Sequence, residues 1–230
     1  MTKRSHVNRL GRVARYDAHV DWYEEFASTE SFVELREHAV KLLGPAGGRC
    51  LDLGCGTGLA LPMLSAAGWD AVGVEVSAGQ VERARERGAD VLLADAHALP
   101  FEDGSFEAVV SILTHTDFDD ARTVFAEVAR VLRPGGVFVY AGVHPVFASP
   151  FALRQDDGTT RFVPGYRDRR WHTVSRYPDK PGIRSRVGVN HLPLADLFNA
   201  VLDTGLILTR IDEPRAEDPP LSIAFRTEKR

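Results

Sequence analysis

Apolar positions recur at roughly helical spacing in the first part of the chain. They do so between residues 6 and 43, with Ser28 and Ser31 as candidate N-caps between two segments. Gly44-Pro45 then ends the second segment, because glycine and proline both disfavour continuation of a helix. The pattern predicts helices ahead of the core.

Beyond these helices, short apolar runs alternate with amphipathic stretches. The runs are typical of buried parallel strands, and they cover 49–54, 70–76, 90–95, 106–113 and 137–143. The stretches between them predict helices over 59–67 and 78–87. Another helix is expected after Asp119-Asp120, since carboxylates suit a helix N-terminus.

The last part of the chain predicts a helix over 192–204 and two strands over 206–213 and 221–228, joined by a proline-rich turn. Strands joined in a hairpin run antiparallel, so we expect them at the edge of the sheet. The order of elements predicts an α/β fold: a Rossmann-like doubly wound sheet, mostly parallel with one antiparallel edge strand, and helices on both faces.

A length of 230 residues fits a single domain of this type. Within it we expect an N-terminal helical lid (1–45), a ligand-binding core (46–143) and a C-terminal helix with hairpin strands (192–230). Residues 144–191 break the alternation, because they are rich in Pro, Gly, Arg and aromatic residues and show no sustained period. We interpret them as a substrate-binding insertion.

The charge of the chain disfavours some classes of partner. It has 28 basic and 32 acidic residues, a formal net charge of −4, which argues against wholesale binding of nucleic acid or an anionic membrane. The start is basic without an apolar core, and no window resembles a membrane-spanning helix. Only two cysteines occur, Cys50 and Cys55, too few for a disulfide framework. We therefore expect a soluble, cytoplasmic protein.

Three features at the ends of neighbouring strands predict a nucleotide-sized site. Residues 52–58 form a glycine-rich turn between a strand and a helix, which lets the backbone approach a ligand. Glu75 ends the second strand, where a carboxylate can take both ribose hydroxyls. Asp95 ends the third strand, where it could accept a hydrogen bond from an exocyclic amine. The carboxyl ends of parallel strands are the edge at which open α/β sheets bind ligands.

The glycine spacing disfavours a nicotinamide-dependent oxidoreductase. A dinucleotide fingerprint needs its third glycine at Leu59, whereas Gly58 comes one residue early. The sequence also lacks a recognisable Tyr-x-x-x-Lys pair.

Four ordered motifs carry a resemblance to a known family. LDLGCGTG, VGVEVS, ADAHALPFEDGSFEAVV and RVLRPGGVFV together resemble class I S-adenosylmethionine-dependent methyltransferases, in particular the small-molecule group of ubiquinone and natural-product type. The match runs from about residue 48 to 143, and residues 190–228 resemble the family's terminal helix and strands. The resemblance implies S-adenosyl-L-methionine as cofactor and S-adenosyl-L-homocysteine as product.

The resemblance also implies cofactor roles for matching positions. Asp52 would orient the methionine amine, Glu75 would hold the ribose, and Asp95 would bind the adenine amine. Ser111 would place its carbonyl near the methionine amine, and Tyr16 would close over the cofactor. The implied cofactor-binding set is Tyr16, Asp52, Gly54, Cys55, Gly56, Gly58, Glu75, Val76, Asp95, Ala96 and Ser111.

Structural roles compete with these assignments. Glu75 could merely cap the helix after Ser77, Asp95 could be a turn residue, and Cys55 suits packing better than nucleophilic catalysis. His97 is expected beside the adenine or on a surface loop.

Methyl transfer needs an aligned, dry nucleophile and, for a hydroxyl or protonated amine, a base. His115 follows the fourth strand and His144 follows the fifth, so both are candidate bases on the rim, with loop capping as the alternative for His115. Asp117, Asp119 and Asp120 could suggest a divalent metal, but helix capping explains the acidic pair better, and no metal is expected.

The insertion mixes basic and aromatic residues. We interpret it as a lid whose aromatics pack a planar or apolar substrate while an arginine pairs with a carboxylate or phosphate. A solvated basic loop is the competing interpretation. The candidate substrate-binding residues are Tyr166, Arg169, Arg170, Trp171, His172 and His191.

The sequence thus predicts a methyltransferase that moves the methyl group of S-adenosylmethionine to an O, N or C nucleophile of a small, anionic or aromatic metabolite. The alternatives are an RNA or protein methyltransferase and a cofactor-binding, non-catalytic homologue. The expected partner is a small molecule, without nucleic acid or membrane, and a homodimer is left open.

Overall fold

The computed structural model describes residues 14–174, 182–215 and 217–230 of the chain. Its N-terminal part holds two helices, Val20–Ala27 (α1) and Glu30–Leu43 (α2). Thr29, between the two candidate caps Ser28 and Ser31, is the N-cap of α2. The predicted helical stretch at 6–13 lies outside the described residues.

A seven-stranded sheet forms the centre of the molecule. Its strands in chain order are Arg49–Leu53 (β1), Asp70–Glu75 (β2), Val91–Leu93 (β3), Phe106–Ile112 (β4), Leu132–Val143 (β5), Ile207–Asp212 (β10) and Ser222–Glu228 (β11). Their order across the sheet is β10-β11-β5-β4-β1-β2-β3. The predicted doubly wound sheet is confirmed.

One strand runs against the others. The pairs among β1 to β5 are parallel, whereas β11 pairs antiparallel with both β5 and β10. The antiparallel strand therefore lies one position inside the edge, and β10 is the edge strand. β5 also begins at Leu132 rather than at the predicted 137, because Leu132 already pairs with Phe106 of β4 and the backbone of Gly135 and Gly136 hydrogen-bonds to that of Lys229.

The helices cover both faces of this sheet. They are Leu61–Ala66 (α3), Ala78–Glu86 (α4), Ala121–Val131 (α5), Ile183–Val187 (α6) and Leu194–Leu202 (α7). Successive residues of a strand point to opposite faces. In β4, Val109 accordingly joins the core under α5 and α7, while Ala108 and Val110 join the core under α2, α3 and α4.

The predicted insertion contains short regular elements. Ala152–Arg154 (β6) pairs antiparallel with Thr160–Phe162 (β7), and Trp171–His172 (β8) pairs antiparallel with Val189–Asn190 (β9). Such short strands leave no periodic signal in the sequence, which is why they were not predicted.

In the part of the chain that the structure describes, no helix has the length and apolar character to cross a bilayer.

Candidate active site

The carboxyl ends of β1, β2, β3 and β4 open into one cavity of about 100 Å³, here called the cofactor cavity. The N-terminal segment closes its other side. Its lining includes Ala14, Arg15, Tyr16, Tyr23, Gly54, Gly56, Val74, Glu75, Val76, Gln80, Ala94, Asp95, Ala96, His97, Ile112, Leu113, Thr114, Asp117, Phe118 and Asp119. Most of the residues that the sequence assigned to the cofactor are thus brought together.

The turn after β1 requires glycine at two lining positions. Gly54 has φ +73°, and a Cβ there would lie 2.6 Å from Cγ2 of Thr114. Gly56 has φ +57°, and a Cβ there would lie 3.0 Å from Oε1 of Gln80. Because L-residues rarely adopt such φ values, side chains here would strain the turn and crowd the cavity. Gly58 packs against Ala84 instead and does not line the cavity.

Glu75 is buried at the end of β2 and supports the glycine turn. Its Oε2 accepts a hydrogen bond from the Gly56 amide at 3.0 Å, and its Oε1 accepts from the amides of Val76 and Ser77 at 2.9 Å each. Burial raises the pKa of this carboxyl, while the three hydrogen bonds from backbone amides oppose the shift. The cap of α4 is supplied by the Ser77 hydroxyl, so Glu75 is not needed for that role.

Asp95 and His97 form a fixed pair on the same wall. The ring Nε2 of His97 accepts from the Asp120 amide at 3.2 Å. The ring proton therefore lies on Nδ1, which donates to Oδ1 of Asp95 at 2.7 Å. This bond fixes the orientation of the Asp95 carboxylate toward the cavity that Val76 and Ala96 also line.

A smaller cavity of about 30 Å³, here called the tail cavity, continues from the first. The two share the lining residues Tyr23, Gly54, Ile112 and Leu113. Asp52 and Arg36 both line the tail cavity, and Asp52 is only 2% exposed. Burial, followed by the nearby charge of Glu75, raises the pKa of Asp52 to about 7, whereas Arg36 opposes the shift.

Three buried polar atoms on residues that line the tail cavity have no hydrogen-bond partner within the protein: Oδ2 of Asp52, Nε of Arg36 and Oγ1 of Thr57. Buried polar groups are rarely left unpaired, so such atoms indicate a place for a polar ligand. A carboxylate and a guanidinium side by side suit the ammonium and carboxylate of an amino-acid tail. The residues present therefore fit the methionine moiety of the implied cofactor.

Tyr16 and Asp117 meet on the side of the cofactor cavity formed by the N-terminal segment. The Tyr16 hydroxyl lies 3.1 and 3.2 Å from the two carboxylate oxygens of Asp117 and donates to them. Burial raises the pKa of Asp117 to about 7, although the hydrogen bond from Tyr16 and the positive charge of Arg15 oppose the shift. Burial likewise raises the pKa of Tyr16, so its hydroxyl keeps its proton.

Sequence reasoning missed several of these lining residues. Arg36 was counted within an amphipathic helix, although a basic residue next to the apolar Leu35 and near Ala39 was a usable signal of a buried charge. Asp117 was considered only with its acidic neighbours. Tyr23 and Gln80 carried no signal beyond their places in helices.

Ser111 is buried in β4 and does not itself line either cavity. Its hydroxyl donates to the Leu53 carbonyl at 3.1 Å and lies 2.5 Å from the Thr114 hydroxyl. The lining is instead supplied by Ile112 and Leu113. Cys55 lines the tail cavity, and burial raises the pKa of its thiol, which keeps it protonated and unreactive at neutral pH.

The two histidines proposed as bases do not lie on an open rim, which corrects that expectation. His115 is 2% exposed, its Nδ1 contacts the Tyr140 hydroxyl, and burial lowers its pKa to about 3. His144 is 4% exposed, and its Nδ1 accepts from the Val146 amide at 3.2 Å. Neither lines the cofactor cavity, because the chain turns both rings beneath the loops that follow β4 and β5.

The acidic residues before α5 each have a different partner. Asp120 accepts from the amides of Arg122 and Thr123 and so caps the helix. Asp119 pairs with Arg15 at 3.2 Å, and Asp117 bonds Tyr16. Across 14–174, 182–215 and 217–230, no group of three or more His, Cys, Asp or Glu residues is arranged to hold a metal ion.

The two arginines proposed to bind an anionic substrate are exposed and paired. Arg169 lies 2.7 Å from Asp196, and Arg170 lies 2.5 Å from Asp168. Their side chains are 68% and 85% exposed, and neither lines the cofactor cavity. Since a paired, exposed arginine gains little from a further anion, these positions give no support to the predicted anion site.

The other proposed substrate residues hold the insertion together. The Tyr166 hydroxyl accepts from the Leu194 amide at 2.8 Å, and Nε2 of His191 donates to the Tyr166 carbonyl at 2.7 Å. His172 stacks edge-on against Phe151, as His191 does, with ring centroids 5.0 and 5.2 Å apart. These contacts anchor the insertion to α7. Trp171 lies beneath the Arg15 guanidinium, 3.7 Å from its ring centroid, and so links the insertion to the N-terminal segment.

Comparison with known proteins gives a consistent family. Residues 51–140 match the family model described as a methyltransferase domain. Demethylmenaquinone methyltransferase of Renibacterium salmoninarum is 34% identical over 134 residues, which are 57% of this chain and 56% of that protein. 27-O-demethylrifamycin SV methyltransferase of Amycolatopsis mediterranei is 36% identical over 156 residues, which are 63% of this chain and 57% of that protein. The chain thus spans little more than half the length of these curated relatives.

A solved structure extends the likeness to nearly the whole chain. The S-adenosylmethionine dependent methyltransferase from Mesorhizobium loti superposes with a TM-score of 0.71 at 22% identity, covering 88% of this chain and 99% of that one. At this identity the likeness establishes the fold, which is the one built above from the strand order.

Proposed function

The chain belongs to the class I S-adenosylmethionine-dependent methyltransferases, and from this premise we propose that it transfers the cofactor's methyl group to a nucleophilic atom of a small metabolite. The family model, the curated relatives and the fold of the solved structure together confirm the family resemblance found in the sequence. The observation that carries the proposal is the pair of unpartnered polar atoms on Asp52 and Arg36, in a cavity that continues to Glu75 and Asp95.

Each end of the joined cavities suits one part of the cofactor. Asp52 would hold the ammonium and Arg36 the carboxylate of the methionine moiety. The Glu75 carboxylate accepts three hydrogen bonds from backbone amides and still has lone pairs that can accept from the ribose hydroxyls. Asp95 would accept a hydrogen bond from the adenine amine. When bound, the cofactor supplies an electrophilic methyl group on a sulfonium.

The protein's own part is to align the acceptor, exclude water and take up a proton. Burial of the cavity walls and the closing Tyr16 keep the site dry, which favours an in-line displacement. Asp117 is better supported than His115 as the proton acceptor. It lines the cofactor cavity with a pKa of about 7, near the optimum for a general base at neutral pH, whereas the pKa of His115 is about 3.

A small-molecule acceptor is supported by the relatives. Their names give a demethylated menaquinone and a demethylated rifamycin as substrates, which are both small molecules. Nothing in these similarities favours the RNA or protein alternative. Action in the cytoplasm without membrane or nucleic acid, and assembly as a homodimer, are further parts of the proposal, the last to be tested by light scattering.

Incubation with methyl-labelled S-adenosylmethionine and a metabolite extract tests the proposal. We expect one extract component to gain a single labelled methyl group while S-adenosylhomocysteine accumulates. Asp52→Asn should lose both signals, and Asp70→Asn is the matched control, because Asp70 begins β2 with its side chain 81% exposed. Binding of the cofactor without methylated product from extracts of several sources would instead indicate a non-catalytic homologue.

A further inference from the structure

A cavity of about 400 Å³ shares one lining residue, Leu113, with the cofactor cavity and the tail cavity; we call it the apolar cavity. It opens between α2, α6 and the loop before β11. Its apolar walls are Phe26, Phe32, Leu35, Leu113, Val143, Ala148, Ile183 and Leu221. A volume in this range and a mainly apolar lining are typical of small-molecule sites.

Leu113 connects this cavity to the site already described. The same residue lines the cofactor cavity, the tail cavity and the apolar cavity. It has φ +62°, a strained value for a non-glycine residue, and its amide donates to the Ala141 carbonyl at 2.8 Å. Strained residues of this kind cluster at functional sites. Leu113 therefore lies at the boundary between the apolar cavity and the two cavities assigned to the cofactor.

The positive charges around the apolar cavity already have partners. The Arg215 guanidinium lies 3.2 Å from Glu34 and 2.6 Å from Glu217. The buried Arg184 donates to the carbonyls of Ser149, at 2.9 Å, and Ala148. Because the lining also contains the carboxylate of Glu217, an anion would meet repulsion as well as competition.

Two of the three hydroxyl groups at this cavity are similarly engaged. Ser222 donates to the Pro214 carbonyl at 2.9 Å, and Thr29 donates to the Phe26 carbonyl at 3.0 Å. Two buried polar atoms of the lining residues make no hydrogen bond within the protein: Oε2 of Glu217, and Nε of Arg215, which has only its ion pair with Glu34. A ligand could therefore form one or two hydrogen bonds here, whereas a highly polar molecule would lose more hydration than it regained.

We propose that the apolar cavity is the acceptor site, and that the acceptor is an uncharged, largely apolar molecule presenting one nucleophilic O–H or activated C–H past Leu113. The inference rests on the proposed function and narrows its substrate class. It replaces the anionic substrate expected from Arg169 and Arg170, whose charges lie elsewhere and are paired.

The reaction at this site is balanced without another reactant. A bond forms between the acceptor's oxygen or carbon and the methyl carbon, while the bond between that carbon and sulfur breaks. The bonding pair stays on sulfur, which becomes a neutral thioether, and the acceptor's proton passes to Asp117 or to solvent.

The test uses the full chain and two fluorescent probes, neutral Nile red and anionic 1-anilinonaphthalene-8-sulfonate. The test variant is Phe32→Glu, which puts a carboxylate on the cavity wall. The control is Phe162→Glu on β7, where the phenylalanine is already 54% exposed. We expect Phe32→Glu to weaken Nile red binding about tenfold, since an ionised side chain penalises an apolar ligand. Phe162→Glu should not weaken it.

Binding of S-adenosylhomocysteine, measured by calorimetry, separates the two proposals. If Phe32→Glu leaves both this affinity and Nile red binding unchanged, the acceptor site is wrong while the proposed function stands. If the wild-type protein binds no S-adenosylhomocysteine, the proposed function itself fails. Stronger binding of the anionic probe than of Nile red at the Phe32-dependent site would overturn the substrate class. If Phe32→Glu does not fold, Phe32→Ala replaces it as the test variant, and its thermal unfolding is recorded to show that it is folded.

Discussion

At the scale of single residues, Asp52 couples stability to ligand binding. Its carboxyl is buried, and one oxygen has no partner in the protein, so the folded state holds the charged form at a cost. The ordinary pKa of an aspartate is 3.8, and burial raises that of Asp52 to about 7. Sites built for a ligand commonly carry such a local cost, which binding of the ligand relieves.

The difference in unfolding free energy between Asp52→Asn and the wild-type protein should shift in favour of the variant as the pH rises. Because the folded pKa lies above the unfolded one, the contribution of Asp52 to the stability of the wild-type protein is greatest below about pH 4 and falls as the pH rises to about pH 7. At about 1.4 kcal/mol per pKa unit, the variant should gain about 2–4 kcal/mol over wild type across this range. Urea unfolding of both proteins at pH 4, 5.5 and 7 measures the difference. A difference independent of pH would contradict the prediction.

The same substitution should weaken cofactor binding and change its proton balance. A bound ammonium stabilises the ionised carboxyl, so binding near pH 6 should release protons from the wild-type protein. For Asp52→Asn we expect less release and an affinity for S-adenosylhomocysteine lower by about thirtyfold, or about 2 kcal/mol. Calorimetry in two buffers with different ionisation enthalpies measures both. Asp70→Asn should behave as wild type, and equal values for all three proteins would exclude the role of Asp52.

Residues at strand ends could be predicted from sequence, while residues brought in by other elements could not. Glu75 and Asp95 line the cofactor cavity because a parallel sheet fixes where its strands end. Arg36 and Asp117 reach the site only through packing of α2 and a loop against the sheet, which no local pattern encodes. For the same reason, the positions of His115 and His144 after their strands did not reveal that both rings turn inward.

At the scale of elements, the strands were predicted best, because a fully buried strand is a short apolar run that glycine or a polar residue ends. β1, β2 and β4 agree with their predicted bounds to within one residue at each end. The insertion escaped prediction, since β6 to β9 are two or three residues long and are paired only within it.

The N-cap of α5 provides a prediction at this scale. The Asp120 carboxylate accepts from the amides of Arg122 and Thr123, and the Thr123 hydroxyl bond is the main reason that its pKa is lowered. Asp120→Ala should cost about 1 kcal/mol at pH 7. The stabilisation is present above the ordinary pKa and is lost as the pH falls below it, so the cost should shrink by pH 3.

Urea unfolding at pH 7 and pH 3 checks the Asp120 prediction. Thr29→Ala is the matched control, because Thr29 is the N-cap of α2 but makes no side-chain capping bond there. An equal cost for both variants at pH 7 would show that the Asp120 cap contributes nothing specific.

At the scale of the whole molecule, the cofactor cavity is closed by segments far apart in sequence. Arg15 pairs with Asp119 and covers the Trp171 ring, which joins the N-terminal segment to the loop before α5 and to the insertion. Asp17 accepts from the Ser77 hydroxyl at 2.5 Å, which joins the same segment to α4. A ligand that fills the cavity should therefore stabilise all of these contacts together.

Binding of S-adenosylhomocysteine should accordingly stabilise the chain and protect a defined set of amides. At a hundredfold excess over Kd, binding adds about 2.7 kcal/mol, which corresponds to a rise in Tm of about 5–10 °C for a domain of this size. Hydrogen exchange should slow in residues 14–24 and 112–117, which line or close the cavity. The hairpin of β10 and β11 lies at the far edge of the sheet and serves as the internal control. Uniform protection of all segments would indicate only global stabilisation, and protection of the hairpin alone would place the ligand elsewhere.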